Sequence, residues 1–125
     1  MMDSIVHFEI PVDDLDRAKK FYKDLFGWGL ADVPEMNYCM VTTTESDEKG
    51  PKKPGAINGG MMKRQQKGET PVLVINVKSI DEHLKKIKAA GGKVVMEKMQ
   101  VGDMGLYARV TDTEGNVIGI WQNLK

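Results

Sequence analysis

The chain has 125 residues, 41% of them apolar and 29% charged, which is typical of one globular domain. Lysine plus arginine and aspartate plus glutamate each number 18, so the chain lacks the basic excess of a typical nucleic-acid-binding protein. No stretch reaches the roughly 18–20 consecutive apolar residues that span a bilayer. Composition therefore argues against nucleic acid or a membrane as a partner.

Cysteine content and the N-terminus indicate a reducing compartment. Cys39 is the only cysteine, which excludes an intramolecular disulfide and any thiol-rich metal site. The N-terminal residues run directly into a strand pattern, without the basic region and apolar stretch of a secretory signal. We therefore expect a cytoplasmic protein.

The first half of the chain predicts one strand, one helix and further short strands. Period-two alternation predicts a strand over Ile5–Val12. Apolar residues at helical spacing predict a helix over Leu15–Phe26, and Gly27 is a typical residue to end it. We expect further strands at 28–30, 38–43 and 57–62, with a charged surface loop at 45–54.

The second half predicts the same order of elements after a linker at 65–71. A strand is expected at 72–77, and Ser79 with Glu82 forms a capping box that opens a helix. Gly91 and Gly92 are expected to end that helix. The remaining strands are predicted at 93–97, 106–111 and 117–122.

The two halves also match residue by residue. Ile10 and Val12 correspond to Ile75 and Val77, and Gly27 corresponds to Gly92, each pair being 65 positions apart. Later blocks match with slightly different loop lengths, including 38–42 with 107–111 and 55–59 with 115–119. Such a repeat predicts an α+β fold of two βαβββ modules within a single domain, 1–125, with module one at about 4–63 and module two at about 70–124.

Strand parity separates the residues that face the helices from those that face away. In the first strand, Val6, Phe8 and Ile10 form the apolar stripe expected beneath the first helix, so His7 and Glu9 should point away from it. The other residues expected on the face of His7 are Tyr38, Met40, Met61, Tyr107, Arg109 and Trp121. Apolar walls with a few polar groups are typical of a small-ligand site, although a dimer interface would have the same character.

Three runs resemble the vicinal oxygen chelate superfamily, which contains glyoxalase I, bleomycin and fosfomycin resistance proteins and extradiol dioxygenases. They are 5–14, 18–28 and 112–121, and the similarity extends over nearly the whole chain, most closely to the glyoxalase-like branch. The resemblance implies that the two modules form an incomplete barrel around a cleft. It also implies a homodimer.

The resemblance further implies a divalent metal held by the first and last strands of each module. The corresponding positions here are His7, Val72, about Gly59, and Gly119. Valine and glycine offer no side-chain electron pair, and catalytic metal sites commonly use three or more protein ligands. We therefore expect neither a metal nor another cofactor.

The candidate catalytic residues are His7 and Glu9. An imidazole with an ordinary pKa near ~6.5 is a suitable general base, and Glu9 could orient it or accept a proton itself. Arg109 could bind a carboxylate or phosphate, or instead pair with Glu9. The other expected ligand-binding residues are Tyr38, Met40, Met61, Tyr107 and Trp121, each of which could equally fill the interior.

Three functions are compatible with these residues. The first is a small-molecule-binding glyoxalase-like domain that could act without metal as an isomerase, lyase or hydrolase through His7. The second is a metal-dependent glyoxalase-like lyase whose ligands lie elsewhere in the chain. The third is a ligand-sequestering protein without catalysis, similar to bleomycin resistance proteins.

Overall fold

The computed structural model describes residues 2–125, which divide into two compact units. The N-terminal unit comprises residues 7–71. The C-terminal unit comprises residues 72–125 together with the N-terminal segment that ends at Val6. Each unit contains one βαβββ module, so the predicted α+β class and its internal repeat are confirmed.

The N-terminal unit contains one helix and a mixed sheet in the order β2-β3-β6-β1. Strand β1 pairs in parallel with β6, while β3 pairs antiparallel with both β6 and β2. A short hairpin, β4 and β5, lies in the predicted charged loop. The elements are β1 Ile5–Val12, α1 Leu15–Phe26, β2 Gly29–Val33, a 3-10 turn Pro34–Met36, β3 Tyr38–Thr42, β4 Ser46–Asp47, β5 Gly50–Pro51 and β6 Gly59–Lys63.

The C-terminal unit repeats this arrangement in the order β7-β10-β9-β8. Strand β7 pairs in parallel with β10, and β9 pairs antiparallel with β10 and β8. Of residues 2–125, no helical segment is long and apolar enough to cross a bilayer. The elements are β7 Val72–Asn76, α2 Ile80–Ala89, β8 Lys93–Val101, β9 Gly105–Thr111 and β10 Val117–Asn123.

Both helices begin and end where local chemistry favours it. The Asp14 carboxylate accepts a hydrogen bond from the amide of Arg17 at the start of α1, and Gly27 closes that helix in the left-handed conformation at φ 70°. At the start of α2, the Ser79 hydroxyl accepts from the amide of Glu82. The predicted bounds of α1 are therefore confirmed, as is the N-terminus of α2.

In each unit the helix covers one face of the sheet, which we call the helix face, and leaves a second, the far face. In the N-terminal unit, Cys39, Val41 and Met61 are buried on the helix face against α1 and its neighbours. In the C-terminal unit, Ala108, Val110 and Ile120 are buried with Ile80 and Leu84 of α2. The far faces carry most of the predicted functional residues.

Candidate functional site

His7 lies on the far face of the N-terminal unit, as strand parity predicts. Its Nε2 atom is 3.0 Å from the hydroxyl oxygen of Tyr38, so the two side chains share a hydrogen bond. The side chain of β1 that follows on the same face is Glu9, which is only 8% exposed. Three of the predicted site residues are therefore gathered on one face of this unit.

The pKa of His7 is lowered from its ordinary value of 6.5. Burial is the main cause, because removing water from around the imidazole disfavours its charged form. The carboxylate of Glu9 acts in the opposite direction and raises the pKa, since it attracts the imidazolium. At neutral pH the ring is consequently neutral and able to accept a proton.

The ring of Tyr38 lies over Gly60, the residue of β6 that pairs with Glu9. A Cβ atom built on Gly60 would overlap the hydroxyl oxygen and the adjoining carbon of the Tyr38 ring. Any residue larger than glycine at position 60 would therefore displace Tyr38 from His7. Glycine at this position allows the phenol to reach the imidazole.

The far face of the C-terminal unit repeats this arrangement with a different basic partner. The hydroxyl of Tyr107 lies over Gly119, where an added Cβ would be 2.7 Å from the phenol oxygen. Arg109 donates from Nε to that oxygen at 2.9 Å, and its guanidinium carbon is 5.8 Å from the centre of the Tyr107 ring. Each unit thus places a tyrosine hydroxyl over a glycine and beside a basic side chain.

Apolar side chains complete the far face of the C-terminal unit. Val72 and Val74 are buried with Tyr107, and the partly buried Trp121 packs against them. The indole N–H of Trp121 donates to the side-chain oxygen of Asn123 at 2.8 Å. This combination of aromatic, aliphatic and cationic groups is chemically suited to an organic anion.

Two sequence predictions about β6 are wrong by one residue. Met61 was expected on the face of His7, but it is fully buried on the helix face, where it pairs with Ile10 and Cys39. Similarly, the position that corresponds to Gly119 is Gly60 and not Gly59. The consecutive pairs Gly59-Gly60 and Met61-Met62 conceal the alternation, and only the pairing with neighbouring strands reveals the register.

The remaining far-face residues lie where parity predicts. Met40 pairs with Gly60 in the N-terminal unit and is 48% exposed. Tyr107, Arg109 and Trp121 lie on the far face of the C-terminal unit. None of these residues lines either of two surface cavities, of about 590 and 530 Å³, at Asp3–Ser4 with Asn76–Lys78 and at Arg64–Thr70.

The residues at the positions implied for a metal do not fit a metal ion. Of these positions only His7 carries a donor side chain, and within residues 2–125 no three His, Cys, Asp or Glu side chains are grouped to hold an ion. The space next to Gly60 is filled by Tyr38, and that next to Gly119 by Tyr107. In both units a phenol therefore fills the space beside the last-strand position that the resemblance implies for a metal ligand.

Comparison with known proteins establishes the family. The chain is 30% identical to the lactoylglutathione lyase of Haemophilus influenzae over 124 residues, which cover 95% of this chain and 92% of that enzyme. The chain belongs to the vicinal oxygen chelate superfamily. Residues 4–44 also match the family model for bleomycin resistance protein-like N-terminal segments.

A longer relative also matches in sequence, and a solved structure shares the fold. CFP32 of Mycobacterium tuberculosis, whose name describes a provisionally assigned glyoxylase, is 32% identical over 122 residues. That match covers 91% of this chain but only 43% of CFP32. The chain therefore spans less than half of the length of this relative. The methylmalonyl-CoA epimerase of Streptomyces coelicolor, solved with 2-nitronate-propionyl-CoA, has the same fold with a TM-score of 0.70, 16% identity and full coverage of both chains.

Proposed function

We propose that this protein binds a small organic molecule and moves a proton on it without a metal, using His7 as the base. The observation that carries the proposal is the hydrogen bond between Tyr38 and the partly buried imidazole of His7, whose pKa is lowered by burial. Glu9 supports this role because its carboxylate stabilises the imidazolium formed when His7 accepts a proton. Such a step occurs in many isomerase, lyase and hydrolase reactions.

Each far face is proposed to offer ligand contacts, through Tyr38 and Met40 in the N-terminal unit and through Tyr107, Arg109 and Trp121 in the C-terminal unit. Arg109 supplies a positive charge that suits a carboxylate or phosphate. Met40 and Trp121 supply apolar contacts, and the exposure of Met40 agrees with such a role. This chemistry favours an anionic ligand with an apolar portion.

The names of the similar proteins suggest which compounds to test. Lactoylglutathione and methylmalonyl-CoA are both anionic thioesters that carry a hydrogen on the carbon next to the thioester carbonyl. The carbonyl acidifies that hydrogen, so a neutral imidazole is a suitable acceptor for it. We therefore propose thioesters of this kind as the substrate class.

Exchange of that hydrogen for deuterium measures the proposed step directly. The protein is treated with EDTA, dialysed and mixed with each thioester in D2O, and exchange is followed by NMR. Replacing His7 by glutamine should slow exchange by about 100- to 10,000-fold, the usual contribution of a general base. His83→Gln is the matched control, because His83 lies on α2, where its ring is hydrogen-bonded to the carbonyl of Ser79, and not on the far face with His7.

A binding protein without catalysis is the second candidate. The matched bleomycin resistance-like segment, residues 4–44, contains His7, Glu9 and Tyr38, so the same side chains could hold a ligand by hydrogen bonds alone. Under this alternative calorimetry would detect thioester binding, and the wild-type protein would exchange no hydrogen. The difference between these two results separates a binder from an enzyme.

A metal-dependent lyase remains the third candidate, because one similar protein is a lactoylglutathione lyase. Elemental analysis of protein purified without chelators tests this candidate. Stoichiometric zinc, nickel or iron that is lost with His7→Gln would favour it over metal-free proton transfer.

Assembly as a homodimer and a cytoplasmic location also stay predictions.

A further inference from the structure

The hydroxyl of Tyr38 stands directly in front of the proton-accepting atom of His7. Because Nε2 and the phenol oxygen are 3.0 Å apart, a ligand atom cannot occupy the same direction unless Tyr38 moves away. The phenol is itself only partly buried and lies on the same sheet face. The nearest group through which His7 Nε2 can exchange a proton is thus the Tyr38 hydroxyl.

The backbone at Gly60 leaves room for the position that Tyr38 adopts. Its ring lies over Gly60, where no side chain competes for the space. In the C-terminal unit, Tyr107 independently lies over Gly119 with Arg109 at its oxygen. Two separate segments of the chain therefore pair a phenol oxygen with a basic nitrogen.

We propose that Tyr38 is the residue that exchanges a proton with the ligand, and that His7 acts through Tyr38 as the base that accepts the phenol proton. This inference rests on the proposed function and specifies which atom touches the reacting hydrogen. The phenol O–H proton passes to Nε2 of His7 while the phenol oxygen takes the hydrogen from the ligand carbon. Tyr38 ends unchanged, His7 becomes an imidazolium next to Glu9, and the electron pair of the broken C–H bond stays on the ligand.

A tyrosine-directed reagent tests this coupling without a known substrate. Benzenesulfonyl fluoride forms an O–S bond with a phenol, fluoride leaves, and a nearby base takes the phenol proton. Tyr22 is an internal control, because it is also partly buried but stacks on Trp28, with ring centres 4.8 Å apart, on the helix face. Mass spectrometry of peptides reports the labelling rate of each tyrosine.

Tyr38 should be labelled faster than Tyr22, and His7→Gln should slow the labelling of Tyr38 by about 100-fold, in keeping with general-base assistance. The rate at Tyr38 should rise with pH through the pKa of His7, which lies below 6.5, because only the neutral ring accepts the proton. A merely structural hydrogen bond would not give this pH profile. Equal labelling of Tyr38 in the wild type and in His7→Gln would overturn the inference.

Gly60→Ala provides a second route to the same conclusion, since the new methyl group displaces Tyr38 while His7 is retained. The rate of Tyr38 labelling should no longer depend on the ionisation of His7. An unchanged labelling rate at Tyr22 would show that the fold is intact. Tyr38→Phe separates the inference from the proposed function. If thioester exchange is lost in His7→Gln but unchanged in Tyr38→Phe, the Tyr38 step is refuted and the proposed function stands. If the wild type shows no exchange, the proposed function itself is refuted.

Discussion

The ionisation of His7 is controlled by two opposing effects on one sheet face. Burial lowers its pKa and the carboxylate of Glu9 raises it, with burial the larger effect. The imidazole therefore stays neutral at physiological pH, and the carboxylate of Glu9 stabilises the imidazolium when it forms. A base of this kind carries no extra proton at neutral pH, and its lowered pKa makes the imidazolium release a proton readily.

Removing the charge of Glu9 should lower the pKa of His7 further. In Glu9→Gln the attraction to the imidazolium is lost while the burial of His7 is retained. Only the effect of burial, which lowers the pKa, then remains. An NMR titration of the imidazole measures the change. Glu97→Gln, on the exposed edge strand β8, is the control, and an unchanged or raised pKa in Glu9→Gln would contradict the assignment of Glu9.

A side chain at Gly60 is expected to destabilise the fold by displacing the Tyr38 ring. Gly60→Ala should reduce the free energy of unfolding by about 1–3 kcal/mol, the usual cost of overpacking, because the methyl group overlaps the Tyr38 ring. Chemical denaturation measures this loss. Gly29→Ala in β2 is the matched control, since its Cβ would meet Thr42 at an ordinary 3.4 Å. Equal stability of the two variants would show that the Tyr38 ring is not held over Gly60.

At the scale of single elements, the helices were predictable because their ends are encoded locally. Asp14 and Gly27 mark the two ends of α1 within a few residues of the apolar pattern. The strands were less predictable, because their ends depend on partners that are distant in sequence. Strand β8 continues to Val101, beyond the predicted end at 97, since it pairs with β9 along that length through two register shifts.

The cap of α2 offers a direct test at this scale. Ser79→Ala removes the hydroxyl that accepts from the amide of Glu82, and should reduce the free energy of unfolding by about 0.5–2 kcal/mol. Thermal or denaturant unfolding measures the loss. Ser4→Ala, on an exposed serine outside any helix, is the control. A cost no greater than that of the control would show that the cap does not stabilise the helix.

Across the whole molecule, the repeat was the most informative property of the sequence. It predicted the βαβββ order twice, and parity then placed His7, Glu9, Tyr38, Tyr107, Arg109 and Trp121 on the far faces. Parity failed at β6, where adjacent glycines and adjacent methionines carry no alternation. The contact between His7 and Tyr38 was also beyond prediction, because it joins strands 31 positions apart. Outside β6 the sequence predicted which residues share a face, but not which atoms meet.

The same duplication explains why a tyrosine ring lies over a glycine in both units. Tyr38 and Tyr107 occupy corresponding positions of β3 and β9, and Gly60 and Gly119 correspond in β6 and β10. The basic partners differ, however, since His7 comes from the first strand and Arg109 from the third. Within a common scaffold the two units thus supply different chemistry, a proton acceptor in one and a fixed positive charge in the other.

Deuterium exchange into the thioesters, with the protein stripped of metal, tests the central claim most directly. We predict exchange by the wild type that persists in EDTA, survives His83→Gln and falls by about 100-fold or more in His7→Gln. Exchange that requires an added divalent metal, or that is unaffected by the loss of His7, would contradict metal-free proton transfer by this residue.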